Sequence, residues 1–152
     1  MQSKNDNTHY KKPEYNITFL VSDTDNKSFL EKDLKNIRHE KLEKLIELID
    51  KKRFNELGYD QDRPIVSNEK FKGFCELKSD QIRIIYKYLG NNTIIILGAN
   101  EKKDNIDIHL LEIPISRFKQ YYVEEIQNNL NHDEIYDRIK DHCMTNCRKG
   151  TR

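Results

Sequence analysis

No stretch of this sequence is long and apolar enough to cross a bilayer; the best run, TIIILGA at 93–99, is only strand-sized. The opening MQSKNDNTHYKKPEY lacks the apolar stretch of a signal peptide, so a cytoplasmic protein with no membrane partner is expected. Cysteine is scarce. Cys75, Cys143 and Cys147 make an odd three, which reads as reduced thiols and not as a disulfide framework. No glycine-rich phosphate loop is present, since GNN and LGAN are too short. Nor is there an excess of one charge: 27 Lys and Arg against 26 Asp and Glu leave a formal +1. That balance argues against broad electrostatic adhesion to nucleic acid and leaves room for a local basic patch.

What the chain does have is charge. Hydrophobic residues make up 36% and charged residues 35% of 152 positions, which predicts one domain with a small core under a highly charged surface. The cations cluster at 70–87, at 102–103 and in the terminal RKGTR.

Residues 1–14 are polar and read as a flexible lead-in. YNITFLV (15–21) reads as a first strand, and SDTDNKS after it offers Ser22, Asp23 and Asp25 as helix N-caps. Phe29, Leu30, Leu34 and Ile37, then Leu42, Leu45, Ile46, Ile49, Phe54 and Leu57, recur at helical spacing. They predict an antiparallel two-helix hairpin bent near 38–40 and stopped by Gly58. DQDRPIVSNEK (60–70) reads as a loop. Strand signals at 73–78, 82–89 and 93–99, separated by KSDQ and GNN, predict an antiparallel meander. IDIHLLEIPISRF contains Pro114 and reads as an irregular stretch or short strand, with a helix starting at Ser116. A last helix is predicted over 132–144, with Ile135, Ile139 and Cys143 on one stripe. The expected class is α+β: an N-terminal strand and two-helix hairpin packed on a mostly antiparallel sheet, with extra C-terminal helices. The expected division is a flexible 1–14, a domain at 15–130, and a C-terminal helix and basic tail at 131–152. Helices then cover one sheet face and leave the other open.

Alternation says what lies on that open face. In IRIIYKYL, Ile82, Ile84, Tyr86 and Tyr88 point one way; Arg83, Ile85, Lys87 and Leu89 point the other. If the helices cover Leu77, Ile82, Ile84 and Tyr86, then Glu76, Lys78, Arg83 and Lys87 emerge together as cross-strand neighbours. Three cations around one carboxylate suit phosphate chemistry. Arginine offers a planar fork of donors, lysine adds point charge, and a carboxylate among cations stays charged and can accept a proton. An ordinary solvated face with charge pairs is the competing reading.

The run GFCELKSDQIRIIYKYLGNNTIIILGANEKKDN resembles the RelE/ParE superfamily of toxins from type II toxin–antitoxin systems, in particular its HigB-like and phage-derived branch. The matching pattern is Gly73-Phe74-Cys75-Glu76-Leu77-Lys78, then Ile82-Arg83-Ile84-Ile85-Tyr86, then Ile94 to Gly98 followed by Glu101-Lys102-Lys103. The resemblance implies a RelE-like sheet that cradles RNA, and metal-independent, cofactor-free cleavage of mRNA on the ribosome by attack of a 2′-hydroxyl. By the same resemblance, the candidate catalytic residues are Arg83, Glu76, Lys102 and Lys103. Candidate RNA contacts are Lys78, Lys87, Lys72 and Phe74. The implied partners are a cognate antitoxin protein, mRNA and the ribosome. Asn100 and Glu101 stand where some relatives carry a histidine or tyrosine acid or base. A second reading from another class is a ParE-like toxin that inhibits DNA gyrase by protein contact, and a third is an inactive, partner-binding member.

His142, Cys143 and Cys147, with His132 as a fourth, offer metal-ligand types, but a second cysteine pair is missing and a helical apolar stripe is expected instead. Cys75 is expected in the core and His109 in a structural role.

Overall fold

A computed structural model describes residues 11–22, 25–102 and 108–147. Five strands form one mixed sheet in the order β1-β5-β4-β3-β2: β1 Asn16–Phe19, β2 Asp62–Pro64, β3 Cys75–Ser79, β4 Ile82–Gly90 and β5 Thr93–Glu101. β1 runs parallel to β5 and the other neighbours are antiparallel. The helices are α1 Phe29–Asp33, α2 His39–Arg53, α3 Ile108–Tyr121, α4 Glu124–Asn128 and α5 His132–Cys147. The class is α+β, as expected. Among the described residues, no helix is long and apolar enough to cross a membrane.

The local signals that set these elements differ in places from the expected ones. α1 starts at Ser28, beyond the anticipated caps: Ser28 Oγ accepts from Glu31 N at 3.1 Å and Glu31 Oε2 accepts from Ser28 N at 2.8 Å, a capping box. After a 3₁₀ turn over 34–36, Ile37 is extended, which makes the expected bend. Glu101 Oε1 holds that bend by accepting from Arg38 N at 3.0 Å. α2 ends before Gly58. Asn55, at φ 55°, closes it with Asn55 N to Lys52 O and Glu56 N to Lys51 O, a Schellman arrangement. β2 lies inside the expected loop; as an edge strand it tolerates Pro64. The β4–β5 turn places Asn91 and Asn92 at φ 51° and 54°, the left-handed pair of a type I′ hairpin.

The largest correction concerns residues 108–115. They are helical, and α3 is continuous through Pro114. Proline removes the N–H that would reach the carbonyl four residues back, which is Leu110 O. That orphaned oxygen instead accepts from Asn100 Nδ2 at 3.2 Å. The sheet therefore supplies the hydrogen bond that the helix lacks.

α3 turns the fold into three layers. On one face, α1, α2 and α5 pack Leu30, Leu45, Ile49 and Ile139 against Leu77, Ile84, Tyr86 and Ile96. Cys75 and Cys143 are buried in this core. The stripe Ile135, Ile139 and Cys143 lies in it too, so the C-terminal helix is part of the main body. On the other face, α3 lays Leu111 and Ile115 on Ile85, Ile95, Leu97 and Phe74. The face expected to be open is thus largely a second core.

One ion pair anchors α3. Arg117 grips Asp33 with both terminal nitrogens, at 2.8 and 2.9 Å, and also donates to Leu97 O at 3.2 Å. Asp33 Oδ2 accepts from Ala99 N at 2.9 Å as well. The pair lies directly over Gly98, where β5 bulges against β4. A Cβ at Gly98 would stand 2.4 Å from Arg117 Nη1 and 2.5 Å from Asp33 Oδ2. A second buried charge, Lys52 at 1% exposure, is met on the first face. Its Nζ donates to Asp62 Oδ2 and Tyr88 Oη, each at 2.7 Å, and lies over the rings of Tyr15, Tyr86 and Tyr88. Burial alone would lower its pKa, but the bonds to Asp62 and Tyr88 raise it above the usual lysine range.

Two outcomes follow. Gly98→Ala presses on a partly buried, hydrogen-bonded pair and is expected to cost roughly 1–3 kcal/mol of unfolding free energy in denaturant titration. His132, at the start of α5, accepts from Phe19 N on Nδ1 at 3.1 Å and meets Gln127 O through Nε2 at 2.9 Å, which requires the neutral Nε2–H tautomer. Burial holds its pKa below the usual imidazole value. The unfolded chain therefore takes up the proton first, so stability is full above about pH 6.5 and falls as the pH drops below it. Thermal melts from pH 7.5 down to 5 should show this decline, and His132→Gln should blunt it.

Candidate functional site

The second face divides into an apolar half under α3 and a charged end beyond it. Register places Lys78 opposite Arg83, Arg83 opposite Asn100, and Arg63 opposite Glu76. By alternation these side chains share the α3 side of the sheet. Like charges directly across a strand pair are destabilising. Lys78 and Arg83 are nevertheless placed there, with Arg63 as a third cation and Glu76 as the carboxylate between.

Glu76 is 6% exposed. Its Oε2 accepts from Arg63 Nε at 3.3 Å, and its Oε1 lies 3.5 Å from Arg83 Nη1. That oxygen is buried and accepts no hydrogen bond among the described residues. The Arg83 side chain is 11% exposed and that of Arg63 32%. All three line a cavity of about 260 Å³ whose walls include Tyr59, Ile65, Val66 and Leu111. Burial raises the worth of each charge interaction here, and the enclosed Oε1 takes a proton from a ligand only once the Arg83 side chain beside it shifts to uncover it.

The expected residues divide accordingly. Glu76 and Arg83 come together, with Lys78 paired across from Arg83. Lys102 N bonds Gln81 O, which sets Lys102 at the same end of the sheet. Lys103 lies outside the described residues. Lys87 does not join the group: its Nζ donates to Gly73 O at 3.3 Å and sits over Phe74 and Phe118, at 4.9 and 5.8 Å from the ring centroids. Phe74 is 5% exposed and packs edge-on against Phe118, so its ring belongs to the second core and is not offered to a ligand. Lys72 is exposed, away from the cavity lining. The four-residue face expected from alternation is therefore a smaller cleft. It loses Lys87 to the core's rim and gains Arg63.

Arg63 and Tyr59 were not anticipated. Arg63 lies in the 60–70 segment read as a loop, and Tyr59 stands just before that segment, after Gly58. The alternation Arg63, Ile65 against Asp62, Pro64 was the available signal. The apolar residues on the supposedly open face, Ile85 and Leu89, likewise signalled a second packed layer.

A second cavity, about 330 Å³, lies beside the Asp33–Arg117 pair, with Asn100, Glu101, Leu110 and Ile113 in its walls. Among the described residues, no group of three His, Cys, Asp or Glu side chains is arranged to hold a metal.

Removing the carboxylate from the arginine pair tests the cleft's electrostatics. Glu76→Ala leaves Arg83 buried without its partner and is expected to destabilise by roughly 1–3 kcal/mol, with Glu76→Gln milder; denaturant midpoints check it.

No protein-family model and no curated protein matches this chain.

Proposed function

We propose that the protein is a RelE-type toxin of a toxin–antitoxin pair, an endoribonuclease that cleaves mRNA on the ribosome and is held in check by a small antitoxin protein. The observation that supports this most is the pairing of Glu76 with both Arg63 and Arg83 in the lining of one cavity, with Lys78 directly across the strand pair from Arg83. The strand, two-helix hairpin and antiparallel meander in that order give the resemblance its frame.

On this reading the cleft takes the scissile phosphate. Glu76 Oε1 accepts the proton of the 2′-hydroxyl, and O2′ bonds to phosphorus. The P–O5′ bond breaks, leaving a 2′,3′-cyclic phosphate. The departing 5′-oxygen takes a proton from water, and Glu76 returns its proton to solvent. Negative charge builds on the phosphoryl oxygens, where Arg83 presents a fixed guanidinium in a poorly hydrated setting; such preorganised charge is commonly the largest catalytic contribution. Lys78 and Lys102 neutralise the backbone on either side. No step requires a metal or cofactor.

Expression in a bacterial host without an antitoxin should arrest growth and translation. Arg83→Ala should lower cleavage by roughly 10²-fold or more and relieve the arrest, as primer extension on host transcripts would read. Growth arrest with DNA-damage signalling and intact transcripts would instead select gyrase inhibition.

A further inference from the structure

We propose that Tyr59 and Arg63 extend the cleft into a nucleotide subsite, in which one unpaired base stacks on the Tyr59 ring while its phosphate bridges the Arg63 and Arg83 guanidiniums. This rests on the reading of the cleft as an RNA site and adds what that site selects: a single-stranded, unstacked nucleotide.

Tyr59 is 67% exposed, lines the same cavity as Glu76 and Arg83, and has no ring partner among the described residues. Val66, at 82% exposed, lines the same cavity. An aromatic and an aliphatic side chain kept in water at the mouth of a charged cleft expose a flat apolar surface that a base would cover. Aromatic side chains next to cations are how single strands are held without reading sequence, because every base has a π face. A duplex, whose bases are already stacked, has none to offer.

Arginine carries five N–H donors in a fixed fork. Arg63 uses Nε on Glu76, and no described residue takes its Nη donors. Arg83 makes its contact with Glu76 at 3.5 Å, beyond good hydrogen-bond geometry, so its fork too has donors in hand. A phosphate held on the outward Nη donors of Arg63 and Arg83 would bridge the two on the far side of the Glu76 carboxylate that already joins them, with that carboxylate next to the sugar. The roles divide by chemistry: guanidinium for phosphate, carboxylate for the hydroxyl, and ring for the base.

The test is fluorescence anisotropy with a short, 3′-labelled, single-stranded RNA carrying 2′-O-methyl groups throughout, so that cleavage cannot intervene. Tyr59→Phe keeps the ring and should bind like the wild type. Tyr59→Leu keeps bulk and apolarity without the ring; it and Tyr59→Ala should each bind roughly tenfold more weakly or worse. Arg63→Gln and Arg83→Gln should both weaken binding, and the same sequence as a duplex should bind poorly to all. Tyr59 is at the surface, so circular dichroism should show these variants folded. If Arg83→Gln weakens binding but Tyr59→Leu matches the wild type, the stacking subsite is wrong and the RNA site stands. If the wild type does not bind the strand, or Arg83→Gln makes no difference, both fall together.

Discussion

The bidentate Asp33–Arg117 pair over Gly98 is the constraint on which the arrangement of the molecule depends. It ties three elements, α1, the bulge of β5 and α3, through charged hydrogen bonds in a partly desolvated setting. The Arg117 guanidinium also lies over the Phe29 ring at 4.7 Å, so its flat side is covered as its edge is bonded. Only a residue without a side chain lets the pair sit so close to the strand. Breaking such a pair leaves a buried charge, and that makes the position of α3 specific as well as favourable.

With α3 fixed there, the second sheet face cannot be one continuous surface. Its apolar half is sealed by Leu111, Ile115 and Phe118, with Lys87 folded over the aromatic edge. Its charged end stays beyond the helix, bounded by Leu111 on one side and the edge strand β2 on the other. The sheet thus concentrates cations that would otherwise be spread along β4, and the Glu76 carboxylate lies between two of them. The buried Lys52–Asp62 pair serves the same end from the opposite face. Asp62 is the residue before Arg63, so anchoring it to Lys52 and to the Tyr86 hydroxyl fixes the strand that presents Arg63 to the cleft.

Much of the fold was legible because it is written in periods. The strands alternate, α2 and α5 repeat apolar residues at helical spacing, and the meander's turns carry the polar residues their geometry needs. What was not legible depends on contacts between distant residues. Pro114 looked like a helix breaker because the partner for Leu110 O is Asn100, on a strand. β2 is three residues long and contains a proline, so only its edge position makes it a strand. Asp33 and Arg117 are 84 residues apart, and no local pattern links them. Arg83 was placed on the correct face, away from α2. That face proved to hold a second core, which leaves Arg83 mostly buried in a narrow cleft beside Arg63, not on an open cationic surface.

The most direct test concerns the chemistry at the ends of a cut RNA. A defined mRNA is incubated with the purified protein and translating ribosomes, and the fragments are analysed for their termini. A base at Glu76 with charge stabilisation at Arg83 gives a 2′,3′-cyclic phosphate and a 5′-hydroxyl, and a single 2′-deoxy substitution at the cut nucleotide abolishes cleavage there. Fragments ending in a 5′-phosphate and 3′-hydroxyl, continued cutting of the deoxy-substituted RNA, or an RNA left intact would contradict it.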